Sequence, residues 1–99
     1  MSDVVHVQAH DWQTWSQDHD AVIIDVREPF EWAMGTLPGA DLIGLGSLFG
    51  RLNELDRDRA ILFVCRTGSR SGVAAELVVR HGFNEVANLT GGLVALGLA

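Results

Sequence analysis

Ninety-nine residues, 47% of them apolar and 20% charged, suffice for one domain with a modest core and match globular rather than disordered composition. The formal net charge of -6 argues against a nucleic-acid or an anionic-membrane partner, because the sequence-independent part of such binding needs a basic face. A single cysteine excludes an internal disulfide and a cysteine-rich zinc site. The histidines at 6, 10, 19 and 81 show no ligand-like spacing beyond His6 and His10, which lack a third partner. No metal and no cofactor is therefore expected. The N-terminal Met-Ser-Asp-Val-Val-His carries no basic segment ahead of an apolar run, and no apolar run reaches the length of a membrane span. A reducing, cytoplasmic setting is expected, where a lone cysteine stays a thiol.

In chain order, Val4, Val5 and Val7 predict a short strand, and a helix follows from about His10 to Gln17. Its Trp12 and Trp15, three residues apart on one face, read as core residues or as a lid. Ala21 to Val26 is an apolar run broken only by Asp25, the pattern of a buried strand. Pro29 suits a first helical turn, which predicts one turn over Phe30 to Met34 ended by Gly35. Thr36 to Ala40 reads as a turn and Asp41 to Leu45 as a third strand. Ser47 is the expected N-cap of a helix bearing Leu48, Leu52 and Leu55, and Asp56 to Arg59 is a charged surface connection.

Ile61 to Val64 predicts the fourth strand. The helix from about Ser71 to His81 would bury Val73, Ala74, Leu77 and Val78, pair Glu76 with Arg80, and end at Gly82 with Phe83 packed beneath it. Val86 to Leu89 is a fifth strand, and a short apolar helix over Leu93 to Leu98 closes the chain. Strands that alternate with helices predict an α/β domain over residues 1–99: a small parallel sheet of about five strands, flanked by helices on both faces. Ligands of such sheets bind outside the carboxyl ends of the strands. Cys65 is placed at one such end, and Asp25 with Arg27 at another.

Residues 65 to 71, Cys-Arg-Thr-Gly-Ser-Arg-Ser, carry the chemistry. Successive N–H groups, with Gly68 free to take positive φ, can curl into an anion-binding nest. The positive end of the following helix and the charges of Arg66 and Arg70 favour a Cys65 thiolate. Thr67, Ser69 and Ser71 add hydroxyl donors. No carboxylate lies in the loop, and two arginines aimed at a helix N-terminus are unfavourable without an anion there. A lone cysteine after an apolar strand is otherwise a small buried hydrophobe. Asp25 reads as structural: an ion-pair partner of Arg27 or of a loop arginine, or the cap of a nearby turn.

Four stretches together resemble the single-domain rhodanese-like sulfurtransferases: Val22 to Pro29 (Val-Ile-Ile-Asp-Val-Arg-Glu-Pro), Gly35 to Ala40 (Gly-Thr-Leu-Pro-Gly-Ala), the loop Cys65 to Ser71, and Asn88 to Gly92 (Asn-Leu-Thr-Gly-Gly). The resemblance implies the α/β fold and a persulfide on Cys65. A donor such as thiosulfate supplies the sulfur, and cyanide or a thiol, including that of an acceptor protein, takes it. The residues from Arg66 to Ser71 would bind the donor anion and the persulfide, with Asp25 and Arg27 supporting the site. Thr36 stands where the family commonly has histidine, and the last helix is short and lacks the usual tryptophan. A cysteine phosphatase or arsenate reductase is the competing enzyme, but its loop has one residue more than the four between Cys65 and Arg70. A non-catalytic module for protein contact is the reading from another class; the cysteine and an undegraded loop speak against it.

Overall fold

The computed structural model describes residues 3–99. Five strands alternate with helices: β1 (Val5–Val7), α1 (Trp12–Asp18), β2 (Val22–Asp25), α2 (Pro29–Trp32), β3 (Asp41–Leu42), α3 (Leu45–Leu48), β4 (Ile61–Val64), α4 (Ser69–Arg80), β5 (Val86–Leu89) and α5 (Gly92–Ala95). Single 3-10 segments precede α1 at Ala9–Asp11 and follow α3 at Phe49–Glu54. The strands form one sheet in the order β1-β5-β4-β2-β3, and every pairing is parallel. The expected fold class, an α/β domain on a five-stranded parallel sheet with helices on both faces, is the one found.

Alternation along β4 divides the core. Ile61 and Phe63 join Ile24, Leu48, Ala74, Ala75 and Val78 on the face covered by α3 and α4. Leu62 and Val64 join Val7, Leu89 and Leu93 on the other, where Trp12 and Trp15 of α1 also pack. All four β4 residues are buried, as a central parallel strand requires. The same parity directs the next residue, Cys65, toward the α4 face. Of the two roles expected for the tryptophans, the structure favours the first: Trp12 and Trp15 are half-buried and pack against the edge of this second cluster.

The order places a switch point at the centre of the sheet. From β2 the chain moves outward to β3; from β4 it moves the other way to β5. The carboxyl ends of β2 and β4 therefore lie side by side where the connections diverge, the usual place for a ligand crevice. Their register pairs Asp25 with Val64, so Asp25 lies level with the residue before Cys65.

Several boundaries differ from expectation. β3 ends at Leu42, not Leu45. Although the Ile43 N–H still bonds the Asp25 carbonyl (3.1 Å), the Leu45 N–H bonds the Val26 carbonyl (3.0 Å) and helix begins there. The N-cap of α3 is accordingly Gly44, and Ser47 lies inside the first turn, its N–H already bonded to the Gly44 carbonyl. The apolar spacing at Leu48 and Leu52 continues as 3-10 helix. α4 starts two residues earlier than expected, at Ser69, because Gly68 takes φ +94° and caps it. Val73 is exposed rather than buried. Glu76 and Arg80 are both exposed and make no ion pair among the described residues. The last helix is one turn, Gly92–Ala95.

Candidate active site

Cys65 is fully buried at the end of β4. Its Sγ accepts the Gly68 N–H at 3.1 Å and lies 3.3 Å from the Ser71 hydroxyl. α4 begins at Ser69, and its first i→i-4 bond runs from the Gly72 N–H to the Gly68 carbonyl (3.1 Å). The N–H groups of Ser69, Arg70 and Ser71 therefore have no partner within the helix and sit at its positive end.

The loop carbonyls are drawn the other way. The Leu93 N–H takes the Cys65 carbonyl at 2.9 Å, and the Val94 N–H takes the Arg66 carbonyl at 3.0 Å. Across a planar trans peptide the N–H opposes the carbonyl, so the N–H groups of Arg66 and Thr67 are turned away from α5. Gly92 permits this approach: a Cβ there would lie 2.5 Å from the Arg66 oxygen and 2.6 Å from the Cys65 oxygen. Burial pushes the Cys65 thiol up, but the Ser71 hydroxyl and the N–H groups of Ser71, Thr67 and Gly68 outweigh it, and the thiol lies below its ordinary pKa.

The loop side chains separate into two sets. Arg66, Thr67 and Ser69 are exposed, and Arg66 forms no ion pair among the described residues. Arg70 is not free. Its guanidinium grips Glu31 of α2 with two bonds, Nη1 to Oε1 at 2.6 Å and Nη2 to Oε2 at 2.9 Å. The loop sequence lacks a carboxylate, but the fold supplies one. One of the two arginines at the helix end thereby has its anion within the fold. Arg70 is the main reason the Glu31 carboxyl drops to about 2; burial opposes it, and the Glu28 N–H contributes further. Glu31 also accepts that N–H at 3.1 Å, closing a reciprocal cap on α2 with Glu28.

Asp25 and Arg27 make no hydrogen bond to Cys65 or its loop. Arg27 donates to both Asp25 carboxylate oxygens (2.8 to 3.0 Å) and, through Nη2, to the Gly35 carbonyl at 2.7 Å. The Thr36 hydroxyl donates to Asp25 Oδ2 at 2.7 Å. Burial raises the Asp25 pKa, yet the bonds from Arg27 and Thr36 carry it below the usual carboxylate range. Two of the roles open to Asp25 are filled at once: it pairs with the Arg27 side chain, and its Oδ1 caps the turn by accepting the Arg27 N–H at 3.0 Å. The pair anchors the turn after α2 and so places Glu31.

Residues that sequence reasoning missed complete the surroundings. Asn88 of β5 is buried, with its Nδ2 donating to the Gly68 carbonyl (3.2 Å) and its Oδ1 accepting the Ser71 hydroxyl (2.5 Å). Like Asp25 it is a polar residue interrupting an apolar strand, and that signal was readable. Glu31 had a weaker one, its spacing of three from Glu28. Nothing in the sequence marked Thr36 as an Asp25 donor. Among the described residues no cluster of His, Cys, Asp and Glu could hold a metal, and no helix is long and apolar enough to cross a membrane.

Residues 8–98 match the rhodanese-like domain family. The chain is 32% identical over 83 residues to a sulfurtransferase of Allochromatium vinosum, covering 84% of this chain and 78% of that one. It is 33% identical over 76 residues to the thiosulfate sulfurtransferase GlpE of Pseudoalteromonas translucida, covering 77% and 72%. The reduced CoADR-RHD protein of Bacillus anthracis superposes with a TM-score of 0.85 at 35% identity over 96% of this chain, which spans only 17% of that one. A buried cysteine cradled by N–H groups at the switch point of a five-stranded parallel sheet and a family match over nearly the whole chain lead to one conclusion: the protein belongs to the rhodanese-like domain family.

Proposed function

We propose that this chain is a sulfurtransferase that carries a sulfane sulfur as a persulfide on Cys65, taken from a donor such as thiosulfate and passed to cyanide or a thiol. The observation that carries the proposal is the position of Cys65 Sγ, 3.1 Å from the Gly68 N–H and beside the unpaired first turn of α4. The Cys65 thiolate attacks the outer sulfur of thiosulfate. The new S–S bond forms as the old one breaks, and sulfite leaves with the bonding electron pair. The negative charge moves to the terminal sulfur, where the N–H groups of residues 66–71 stabilise it. A thiolate or cyanide then attacks that sulfur and Cys65 leaves as thiolate. Because the thiol is already favoured toward ionisation, no general base is needed.

With Arg70 held by Glu31, attraction of the donor's oxyanion falls chiefly to Arg66, whose charge is exposed. The donor binds through Arg66 and backbone N–H groups, and Arg70 acts mainly by fixing the start of α4. Exposure to thiosulfate followed by mass spectrometry should add one sulfur atom to the protein, and Cys65→Ser should add none. Thiosulfate sulfurtransferase activity that survives Cys65→Ser would sink the proposal. Failure of the intact protein to gain sulfur from thiosulfate or from a small-molecule persulfide would favour a module for protein contact.

A further inference from the structure

The Ser71 hydroxyl has one hydrogen and two claimants. Its Oγ is 2.5 Å from Asn88 Oδ1 and 3.3 Å from Cys65 Sγ. The Asn88 carboxamide cannot be reversed, because its Nδ2 donates to the Gly68 carbonyl at 3.2 Å and a flip would set two oxygens together. Oδ1 therefore faces Ser71, and as a pure acceptor it requires the hydroxyl to be the donor. The oxygen lone pairs then face the sulfur. That arrangement suits a thiol S–H or a neutral sulfur and is wrong for a thiolate.

We propose that Asn88 is a positioning residue for sulfur transfer, holding the Ser71 hydroxyl whenever the negative charge is not on Cys65 Sγ and thereby favouring the persulfide over the bare thiolate. The inference rests on the reading of Cys65 as a persulfide carrier. When Cys65 ionises, the hydroxyl turns to Sγ and leaves Oδ1 buried without a donor, which costs free energy. When the thiolate has taken a sulfur, the charge sits on the terminal atom beside the α4 N–H groups, and the inner sulfur is neutral. The hydroxyl returns to Asn88 and both hydrogen-bonding needs are met. Competition for one proton also leaves the thiolate less stabilised, hence more nucleophilic, than its surroundings would otherwise make it.

The other charges near the sulfur do not reproduce this device. Arg66 and Arg70 lie in the loop and the first turn of α4, the latter tied to Glu31 of α2. Asp25 and Arg27, from the end of β2, are spent on each other. β5 and α5 bring no ionisable side chain.

The test is a titration of the Cys65 thiolate by its ultraviolet absorbance in the wild type, Asn88→Ala, Ser71→Ala and the double variant. Freeing the hydroxyl for the sulfur should enlarge the Cys65 ionisation constant about fivefold in Asn88→Ala, the worth of one hydrogen bond. Persulfide formation should become slower once the thiolate is fully formed. A purely structural Asn88 would loosen the Gly68 peptide and shrink the ionisation constant, the opposite sign. In the Ser71→Ala background, Asn88→Ala should bring no enlargement. An unchanged or smaller constant in Asn88→Ala overturns the inference, as does an enlargement that persists without the Ser71 hydroxyl.

Should Asn88→Ala fail to fold, nuclear magnetic resonance of the wild type decides. The Asn88 carboxamide signals should titrate with Cys65 and return to their thiol-state position in the persulfidated protein; flat signals overturn the inference. Wild-type protein that never gains sulfur overturns the proposed function instead. Wild-type protein that gains sulfur while Asn88→Ala shows the wrong sign overturns this inference alone.

Discussion

Cys65 shows how one residue's chemistry is set by a few neighbours acting in opposite directions. Full burial disfavours the thiolate, and the Ser71 hydroxyl with three backbone N–H groups favours it more strongly. Ser71→Ala removes the side-chain contribution and leaves the backbone. The thiol should move up toward its ordinary pKa while the fold is kept, which thiolate absorbance against pH will show; an unmoved titration would assign the whole effect to the backbone. Thr67 and Ser69 are exposed, and their hydroxyls make no hydrogen bond among the described residues. Their alanine variants should stay within about twofold of wild-type activity, in keeping with the small effect of exposed substitutions. For the arginines the contrast is sharper. Arg66→Gln should raise the KM for thiosulfate. Arg70→Gln should act through loss of the Glu31 contact, so a Glu31→Gln/Arg70→Gln double variant should recover part of the loss; donor saturation measured in all three variants checks this.

Among the elements, α5 does more than close the sheet. Its first turn binds the carbonyls of Cys65 and Arg66, and so turns the N–H groups of Arg66 and Thr67 away from α5. The contact exists because Gly92 has no side chain and takes φ +62°. Gly92→Ala would place a Cβ 2.5 Å from backbone that cannot swing aside, in a conformation costly for any L-residue. A loss of about 2–4 kcal/mol is expected, conformational strain plus the clash. Urea denaturation measures it, and sulfur loading should fall further than the fraction unfolded explains. α4 is fixed at both ends by local chemistry. Gly68 caps its start, and at its end the Phe83 N–H bonds the Val78 carbonyl at 3.1 Å with the Phe83 ring buried beneath.

Across the whole molecule, two ion pairs tie the connection after β2 to the rest. Asp25 and Arg27 are both almost wholly buried, and removing one partner would leave an uncompensated charge. Asp25→Ala or Arg27→Ala should each cost about 3–5 kcal/mol, and the double change to apolar residues much less. Thermal or urea denaturation of the three variants tests this. Glu31 and Arg70 join α2 to the first turn of α4. The Glu31 carboxyl lies near 2 in the fold, against an ordinary value of 4.5. A carboxyl lowered by folding stabilises the fold fully above its unfolded pKa and loses that contribution as pH falls toward the folded one. The wild type should therefore lose its advantage over Glu31→Gln progressively between about pH 5 and pH 2, and keep it undiminished at pH 7. Urea midpoints against pH measure the difference; a constant gap would mean that the ion pair contributes nothing.

The amino-acid sequence by itself determined the alternation of strands and helices and the placement of Cys65 at a strand end, ahead of a glycine-containing turn into a helix. Each of these is local: an apolar run, a period, a glycine before a helix. The same locality made Asp25 legible as a polar break in strand β2, and would have made Asn88 legible in β5. Tertiary structure alone decided which charges meet. Glu31 lies 39 residues from Arg70, and only the switch point between β2 and β4 brings α2 against the start of α4. Asn88 reaches Ser71 because β5 lies beside β4 in the sheet, and Gly92 reaches Arg66 because α5 folds back over the strand ends. Backbone preferences act within a few residues and can be read along the chain. The partner of a hydrogen bond or a charge is chosen by packing, and packing belongs to the folded sheet.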